Sequence, residues 1–304
     1  MKAAIDIGTN TVLLLVAEVR ESVITPIHEE HRVPRLGKGV DADRTIGVAA
    51  TKRVSDVLNE YQKIIQSQFP EVESIIVTAT SAVRDANNRE EFIRDIKNET
   101  GLEIRLLSGK EEAEWTADGA LSVLSISGKS NNLILDIGGG STEVAYLSSS
   151  RVSDAYSYDM GSVRFTERFL KTNPPMDKEI NACKNVIREY YESRPFSING
   201  NVEAIGVAGT LTSLAGMALD LNEYKPQNIN GFKVTRTLVQ KVISDFSNHS
   251  SEAMLKKYPV YLAGRADIFM AGILILDGFL DAFDQESILV STGGIRHGAI
   301  LKTS

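Results

Sequence analysis

The sequence predicts an α/β protein with mixed sheets, built from two similar halves. Residues 3–19 consist of two β-branched, apolar runs around a polar turn, which is the pattern of a β-hairpin. The same pattern returns at residues 133–147, this time around a glycine-rich turn. Helical and strand patterns alternate after each hairpin. Alternation of this kind is typical of α/β proteins, and the hairpins add antiparallel pairs to the predicted sheets.

The elements of the first half follow from hydrophobic periodicity and turn residues. Gly101 ends one of the predicted helices, as glycine often does after the last helical turn. The most apolar part of the second half, residues 268–283, predicts a buried helix. The predicted elements after the first hairpin are a strand at 22–30, a loop at 31–43, a helix at 46–69, a strand at 74–80, a helix at 88–100, a strand at 102–107 and a helix at 108–124.

Composition excludes several classes of protein. The 304 residues carry 33 basic and 40 acidic side chains, a net charge of −7, so a nucleic-acid partner is not expected. The single cysteine, Cys183, excludes an intramolecular disulfide and predicts a small buried side chain. Asp277 and Asp281 interrupt the most apolar segment, which argues against a membrane span. The chain starts without a signal-peptide pattern, and a cytoplasmic protein is expected.

The repeated hairpin is the most informative feature of the sequence. Residues 5–11 read Ile-Asp-Ile-Gly-Thr-Asn-Thr, and residues 135–141 read Leu-Asp-Ile-Gly-Gly-Gly-Ser. Two Asp-x-Gly turns at the start of two similar halves indicate a duplicated domain, with ligands expected in a cleft between the copies. We place the boundary after residue 124, giving domains 1–124 and 125–304, with the last helix allowed to pack back on the first domain.

Each turn has the chemistry of a phosphate site. Glycine, threonine, asparagine and serine leave backbone N–H groups accessible, and such concave turns bind phosphate oxygens. Asp6 and Asp136, at the strand ends, supply the carboxylates that Mg²⁺ prefers together with phosphate. A single Asp-x-Gly turn is common loop chemistry, but the pair favours function. Neither turn has the P-loop or the dinucleotide-binding glycine pattern.

A carboxylate near the end of the first half is a candidate general base. Ser108 and Glu111 have the spacing of a capping box, which occupies Glu111 at the start of a helix. Glu112 is the next residue and points in another direction. Beside a bound phosphate, Glu112 could take a proton from attacking water. A glutamate on a solvated helix face is the alternative that spacing alone favours.

Several other polar residues follow predicted strands. Arg84 comes after the strand at 74–80, and Arg32 and Arg35 lie in the predicted loop, where guanidinium groups could bind phosphate or simply be solvated. Thr210 could begin a helix whose N-terminus binds an anion, or could serve as a plain N-cap. The turn at 291–294 has the same ambiguity.

These segments together resemble the exopolyphosphatase and guanosine pentaphosphate phosphohydrolase family of the actin-like ATPase superfamily. The resemblance covers essentially the whole chain, and the combination of motifs is specific. The matching segments are residues 5–10, 32–39, 78–88, 108–113, 136–143, 160–164 and 206–210.

The resemblance implies two ribonuclease-H-like domains with mixed sheets flanking an interdomain cleft. It implies metal-dependent release of terminal phosphate from inorganic polyphosphate or guanosine pentaphosphate, with Mg²⁺ or Mn²⁺, K⁺ as a further candidate cofactor, and a homodimer. Glu112 takes the catalytic position, Asp6 and Asp136 take metal positions, and Glu143 serves both as a metal ligand and as a water-positioning acid. The implied substrate-binding residues are Gly8, Thr9, Asn10, Thr11, Arg84, Gly138, Gly139, Gly140 and Ser141. Arg35 and Thr210 are further substrate-binding candidates from their positions in the predicted loop and after a predicted strand.

Two positions depart from the family pattern. Thr11 stands where the family often has serine, which keeps the hydroxyl group. His297 stands in the segment Arg296-His297-Gly298 where the family commonly has glutamate, so the role of that acid is open. Two other functions use the same turns: an ATP-dependent small-molecule kinase, and a polyphosphate or alarmone sensor without catalysis.

Overall fold

The chain folds into two compact units. The computed structural model describes residues 1–21, 23–124, 131–149, 151–198 and 200–303. Unit 1 comprises Met1–Ser122 and Gly293–Ser304, and unit 2 comprises Val123–Thr292. The boundary predicted after residue 124 falls beside residues 125–130, which lie outside the described residues, as does Ser22 at the start of the predicted second strand.

Unit 1 is a five-stranded mixed sheet with helices. The strand order is β3-β2-β1-β4-β5, in which β1 is antiparallel to β2 and parallel to β4. The elements of unit 1 up to residue 122 are β1 (Lys2–Ile7), β2 (Val12–Arg20), β3 (Val23–Arg32), α1 (Val40–Asp43), α2 (Val48–Gln68), β4 (Ser74–Ala79), α3 (Ser81–Asp85), α4 (Arg89–Thr100), β5 (Ile104–Leu106) and α5 (Gly109–Ser122).

The core of unit 1 explains the position of its first hairpin. Residues 3–7 of β1 are all buried, since this strand is central in the sheet. The α2 helix packs an apolar stripe against the sheet, and its buried Tyr61 donates its hydroxyl to the Val12 carbonyl oxygen at 2.8 Å. This bond ties the start of β2 to the helix, so the hairpin turn before Val12 is held at the edge of a rigid core.

Unit 2 contains a six-stranded mixed sheet of order β10-β11-β9-β6-β7-β8. Its central strand β6 is antiparallel to β7 and parallel to β9, which repeats the arrangement of β1, β2 and β4. The elements are β6 (Asn131–Ile137), β7 (Thr142–Ser148), β8 (Arg151–Tyr158), α6 (Ser162–Phe169), α7 (Asp177–Ser193), β9 (Val202–Val207), α8 (Ala208–Ala218), α9 (Pro226–Ile229), β10 (Lys233–Thr235), α10 (Arg236–Asn248), α11 (Ser251–Lys257), α12 (Pro259–Leu262), α13 (Phe269–Ala282) and β11 (Ser287–Val290).

The last helix of the chain, α14 (Ile295–Lys302), belongs to unit 1. It packs beside α5 and contributes Ile295, Ala299 and Ile300 to a small core with Leu107 and Trp115. The predicted buried helix at 268–283 is confirmed as α13, whose central residues form the core of unit 2. Within the described ranges, the helices are all too short or too polar to cross a membrane.

Some local predictions were wrong. A short helix, α3, follows β4, so Arg84 lies on a helix and not in a loop. Strand β3 extends through Arg32, and the loop after it contains the short helix α1. Helix α8 begins at Ala208, two residues before Thr210, which excludes Thr210 as its N-cap. Apolar periodicity gave no signal for α1 or α3, because each covers about one turn of helix.

Candidate active site

The turn between β6 and β7 in unit 2 is shaped to bind an anion. The Gly138 N–H donates to the Ser141 carbonyl at 3.0 Å and closes the turn. The carbonyl oxygens of Gly138 and Gly139 accept N–H bonds from the first residues of α6 at 2.8–3.1 Å. The Gly140 carbonyl accepts from Nε of Arg164 at 2.6 Å. All three turn carbonyls therefore face α6.

The opposite side of this turn must carry the N–H groups. In a trans peptide the C=O of one residue and the N–H of the next point in opposite directions. The N–H groups of Gly139, Gly140 and Ser141 consequently point away from α6, on one side of the turn. Three convergent backbone N–H groups form the kind of concavity that binds phosphate oxygens. The glycines at 138–140 add no side-chain carbon atoms to it.

Two residues that hold this turn received no role from sequence reasoning. A Cβ on Gly161 would lie 2.5 Å from the carbonyl carbon and oxygen of Gly139, so only glycine permits the close approach. Arg164 is 4% exposed, and its guanidinium reaches the turn from the first turn of α6. Glycine and arginine at this spacing are too common to be identified as turn supports before the helix is placed against the turn.

Asp136 and Glu143 form a pair of neighbouring carboxylates beside the turn. They are directly opposed across β6 and β7, which places their side chains on the same face of the sheet. Glu143 is 2% exposed, and its Oε1 accepts a hydrogen bond from the Ser157 hydroxyl at 2.6 Å. Like charges directly opposed on a sheet are unfavourable unless a cation or a proton compensates them.

The turn between β1 and β2 in unit 1 has the same backbone design. The Gly8 N–H donates to the Thr11 carbonyl at 2.9 Å. The N–H groups of Arg35 and Gly37 donate to the carbonyls of Asn10 and Thr9 at 3.0 and 2.7 Å. By the same peptide geometry, the N–H groups of Asn10 and Thr11 point away from the supporting segment. This turn therefore presents two aligned N–H groups.

Side chains add hydroxyl and carboxylate groups to the unit 1 turn. The Thr9 hydroxyl lies 3.0 Å from the Ser81 hydroxyl at the start of α3. The Thr78 hydroxyl donates to Oδ1 of Asp6 at 3.0 Å. Asp6 is 8% exposed, and burial, reinforced by the negative charge of Glu112, raises its pKa to about 7. A bound cation would stabilise the ionised form of this carboxylate, which burial disfavours.

Glu112 is buried, and the capping-box prediction that left it available is confirmed. Ser108 and Glu111 bond each other's backbone N–H at 3.0 and 3.2 Å. Glu112 is only 7% exposed, so the alternative of a solvated helix-face glutamate was wrong. Its Oε2 accepts a hydrogen bond from Arg84 at 2.8 Å, and Arg84 also donates to the Leu107 carbonyl at 3.1 Å.

The pKa of Glu112 is raised above its ordinary value by burial, against the opposing effect of the Arg84 charge. A buried carboxylate with a raised pKa, oriented by an arginine, is suited to accept a proton from water near neutral pH. Arg84 lies on α3, where it faces this carboxylate. In unit 1 the structure thus brings together the hairpin turn, Asp6, Arg84 and Glu112.

Three further residues considered from the sequence, Arg32, Arg35 and Cys183, each have different structural surroundings. Arg32 is held by Glu30 and Glu60, both at 2.6 Å, and stabilises the strand end. Arg35 supports the unit 1 turn through its backbone N–H, with a left-handed φ of 53°. Cys183 is buried, as predicted, and burial raises its pKa to about 12, which leaves the thiol unreactive.

Thr210 lies in the first turn of α8 and is buried. A Cβ on the preceding Gly209 would overlap the Arg265 guanidinium, so an arginine that sequence reasoning missed lies at this helix start. Burial lowers the pKa of Arg265. The contact joins residues more than 50 positions apart in the chain, so no local sequence pattern predicts it.

His297 cannot replace the acid that the family pattern has at its position. It is 2% exposed, and burial together with the neighbouring Arg296 charge lowers its pKa to about 3. The imidazole is therefore neutral at ordinary pH. The structure places it in α14 as a neutral buried side chain.

The donor groups beside both turns suit a hard divalent ion. Carboxylate oxygens and hydroxyls are the ligands of Mg²⁺ and Mn²⁺, and no cysteine competes there. Among the described residues, no three His, Cys, Asp or Glu side chains are grouped as a ready metal cage. Mg²⁺ usually keeps several waters and binds through one or two carboxylates plus phosphate, so the Asp136–Glu143 pair fits it without such a cage.

Fold and site together define a class: an actin-like ATPase fold with a similar hairpin turn in each of two units. Residues 15–304 match the Ppx/GppA phosphatase family. The chain therefore belongs to the Ppx/GppA phosphatase family, which confirms the fold and the resemblance predicted from the motifs.

Individual relatives agree with this assignment. The chain is 31% identical over 286 residues to Exopolyphosphatase 2 of Mycobacterium tuberculosis, covering 90% of this chain and 88% of the relative. It is 31% identical over 311 residues to a bifunctional 3-dehydroquinate synthase/phosphatase of Fusobacterium nucleatum, covering 99% of this chain but only 46% of that longer relative.

A solved structure shows the same fold. The Ppx/GppA family member of Aquifex aeolicus superposes with a TM-score of 0.83 at 28% sequence identity, covering 99% of this chain and 96% of that one.

Proposed function

We propose that this chain is an exopolyphosphatase-type phosphoric anhydride hydrolase, which releases terminal phosphate from inorganic polyphosphate by attack of water. The observation that carries the proposal is the buried Glu112, held by Arg84 in the same unit as a phosphate-binding turn. Phosphoryl transfer depends chiefly on positioning and on charge stabilisation, and both are present. Guanosine pentaphosphate, whose terminal anhydride bond has the same chemistry, is the second proposed substrate.

In each unit, the backbone turn is proposed to bind phosphate oxygens. The aligned N–H groups of residues 139–141 and of residues 10–11 donate to phosphate oxygens, and the Thr9 hydroxyl adds a further donor. Phosphate oxygens carry the charge that such preorganised donors stabilise. Because the donors are backbone groups fixed by α6 and by the segment at 35–37, they need no reorganisation when the substrate binds.

Glu112 is proposed as the general base. Its carboxylate takes a proton from water as the water oxygen bonds to the terminal phosphorus. The bond from that phosphorus to the bridging oxygen breaks, leaving orthophosphate and a chain one phosphate shorter. The Arg84 guanidinium orients Glu112 and adds positive charge for the phosphoryl oxygens.

In unit 2, Asp136 and Glu143 are the proposed ligands of Mg²⁺ or Mn²⁺; in unit 1, Asp6 is a proposed metal ligand. When bound, the ion would neutralise phosphate oxygens and polarise the anhydride bond. Glu143, whose Oε1 accepts a hydrogen bond from the Ser157 hydroxyl, is also the proposed water-positioning acid. Binding of K⁺, a homodimeric state and a cytoplasmic location stay predictions from the family resemblance.

The test is phosphate release with Mg²⁺ from polyphosphates of several lengths, guanosine pentaphosphate and ATP. Chelation of Mg²⁺ provides one control and Asp136→Asn the other. We expect release from polyphosphate that depends on Mg²⁺ and falls about 100-fold or more in Asp136→Asn. Transfer of phosphate from ATP to a small acceptor, without release from polyphosphate, would support the kinase alternative. Tight binding of polyphosphate without turnover would support a sensor.

A further inference from the structure

Helices α5 and α14 cross at two glycines. A Cβ on Gly119 would lie 2.7 Å from the Gly294 carbonyl carbon and 2.8 Å from the Gly298 nitrogen, with the Gly294 oxygen closer still. A Cβ on Gly298 would lie 2.6 Å from the Trp115 carbonyl carbon and 2.9 Å from its Cα. The two backbones therefore touch directly, and neither helix has room for a methyl group at the crossing.

The contact is reciprocal. In α5 the Gly119 N–H and the Trp115 carbonyl belong to one helical turn, since they are four residues apart. In α14 the Gly298 N–H donates to the Gly294 carbonyl at 3.1 Å. Gly119 of α5 therefore lies against the Gly294 carbonyl, and Gly298 of α14 lies against the Trp115 carbonyl. Small residues let two helix backbones approach closely, and the dispersion and Cα–H···O contacts formed there stabilise the packing of the helices.

This crossing lies next to the proposed base. Glu112 precedes Trp115 by three residues, so it is less than one turn from the clamped turn of α5. Trp115 and Leu107 pack with Ile295 and Ala299 of α14. The Leu107 carbonyl accepts a hydrogen bond from Arg84, the residue that holds Glu112.

The α14 helix is itself anchored to the sheet that carries the unit 1 turn. Arg296 donates to the Leu14 carbonyl at 2.7 Å and to Glu29 at 2.9 Å. Lys302 pairs with Asp118 at 2.6 Å, on the same stretch of α5. Polar contacts therefore join the sheet to α14, and α14 to α5, on both sides of the glycine crossing.

We propose that Gly119 and Gly298 are positioning residues, which set the placement of the Glu112 carboxylate by letting α14 clamp α5 at backbone contact. The inference rests on the proposed function of Glu112 as the base. A Cβ at either position overlaps backbone atoms, which cannot rotate away as a side chain can. The helices must then separate by roughly 1 Å.

The experiment is a double-mutant cycle between Gly298→Ala and Glu112→Gln, measured by polyphosphate hydrolysis. Displacement of a catalytic group by about 1 Å can cost about 100-fold, so we expect kcat of Gly298→Ala to fall about 10- to 100-fold with KM changed less than about threefold. In the Glu112→Gln background, the same glycine substitution should have almost no further effect, because the group that it misplaces is already inactive.

Gly278→Ala is the matched control. Gly278 lies in α13 of unit 2, where a Cβ would overlap Ile187, so it is also a helix-packing glycine. We expect loss of thermal stability without the selective loss of kcat. Trp115 is the only tryptophan of the chain, so its fluorescence reports whether the crossing has opened in Gly298→Ala and not in Gly278→Ala.

Three outcomes overturn the inference. The first is an equal loss of kcat from Gly298→Ala in both backgrounds, which would indicate a general structural effect. The second is a shifted Trp115 emission with unchanged kcat. The third is unimpaired turnover of Glu112→Gln, which would remove the base assignment itself and is distinguished from the others by that single variant.

Should Gly298→Ala not fold, Ala299→Gly is the substitute variant, because it loosens the packing of α14 without a clash. We expect it to lower kcat severalfold in the wild-type background only.

Discussion

The two hairpin turns share a backbone design but differ in their side chains. Both close with an N–H to C=O bond across four residues, and both have carbonyls held by a following segment. Opposite Asp6, however, β2 carries Leu13, whereas opposite Asp136, β7 carries Glu143. The unit 1 turn is supported by a loop and the unit 2 turn by a helix.

From this difference we predict that the two turns have different roles. Unit 2 combines three aligned N–H groups with a pair of carboxylates, which suits phosphate and a divalent ion. Unit 1 has two aligned N–H groups, one carboxylate, and the buried Glu112 with Arg84. The two units therefore share the backbone support of the turn but differ in the acidic side chains beside it.

The largest effect should come from removing the acid that only unit 2 has. Glu143→Gln keeps the size of the side chain but halves the charge of the carboxylate pair. We expect turnover to fall about 100-fold and the required Mg²⁺ concentration to rise, measured by phosphate release in a Mg²⁺ titration. Leu13→Met, at the corresponding position of unit 1, is the control. Equal effects of the two variants would mean that the turns are not specialised in this way.

An intermediate effect should come from the supports of the turns. Gly161→Ala places a Cβ against the backbone of Gly139, whereas Gly37→Ala mainly overlaps the Thr9 methyl group. We expect both to lower kcat/KM for polyphosphate by about 10-fold or more, because the donors no longer align.

Only the unit 1 clash can be relieved by trimming a side chain. Thr9→Ser keeps the hydroxyl and removes the methyl, so Gly37→Ala combined with Thr9→Ser should recover most of the activity of Thr9→Ser alone. Gly161→Ala has no such remedy, as its clash is with backbone. Failure of the combined variant to recover activity would contradict the steric explanation.

A smaller effect, on stability, should come from Asp6. Its folded-state pKa of about 7 lies above the ordinary value of 3.8, so the folded chain keeps a proton that the unfolded chain releases. Asp6 therefore lowers the free energy of unfolding progressively as pH rises from about 4 to about 7. Asp6→Asn removes this effect and should stabilise the protein at pH 8, by at most about 4 kcal/mol.

Urea unfolding of the wild type and Asp6→Asn at several pH values, with divalent ions chelated, measures this effect. The advantage of the variant should shrink toward about pH 4, where Asp6 is protonated in both states. A stability advantage of the variant that did not change with pH would show that folding does not raise the pKa of Asp6.

Patterns local in sequence predicted much of this molecule. The hairpins, the long helices, the mixed sheets and the capping box at Ser108 followed from periodicity and turn chemistry. The helix around Arg84 was missed because one turn of helix has no periodic signal. The roles of Gly161, Gly298 and Arg265 depend on close approach of distant segments, and a single sequence does not contain such distances.

Glu112 shows the same limit at the site. Spacing showed that the capping box leaves it available, but its burial and its bond to Arg84, 28 residues earlier in the chain, depend on the tertiary structure. The family resemblance predicted a catalytic role for Glu112, and the structure shows that its carboxylate is buried beside Arg84.

The most direct measurement is turnover of Glu112→Gln compared with its affinity for polyphosphate. The amide keeps the shape of the side chain but cannot accept a proton from water at neutral pH. We predict that kcat for phosphate release falls by about two orders of magnitude or more, while polyphosphate binding stays within a few-fold. Turnover equal to that of the unsubstituted chain would contradict it.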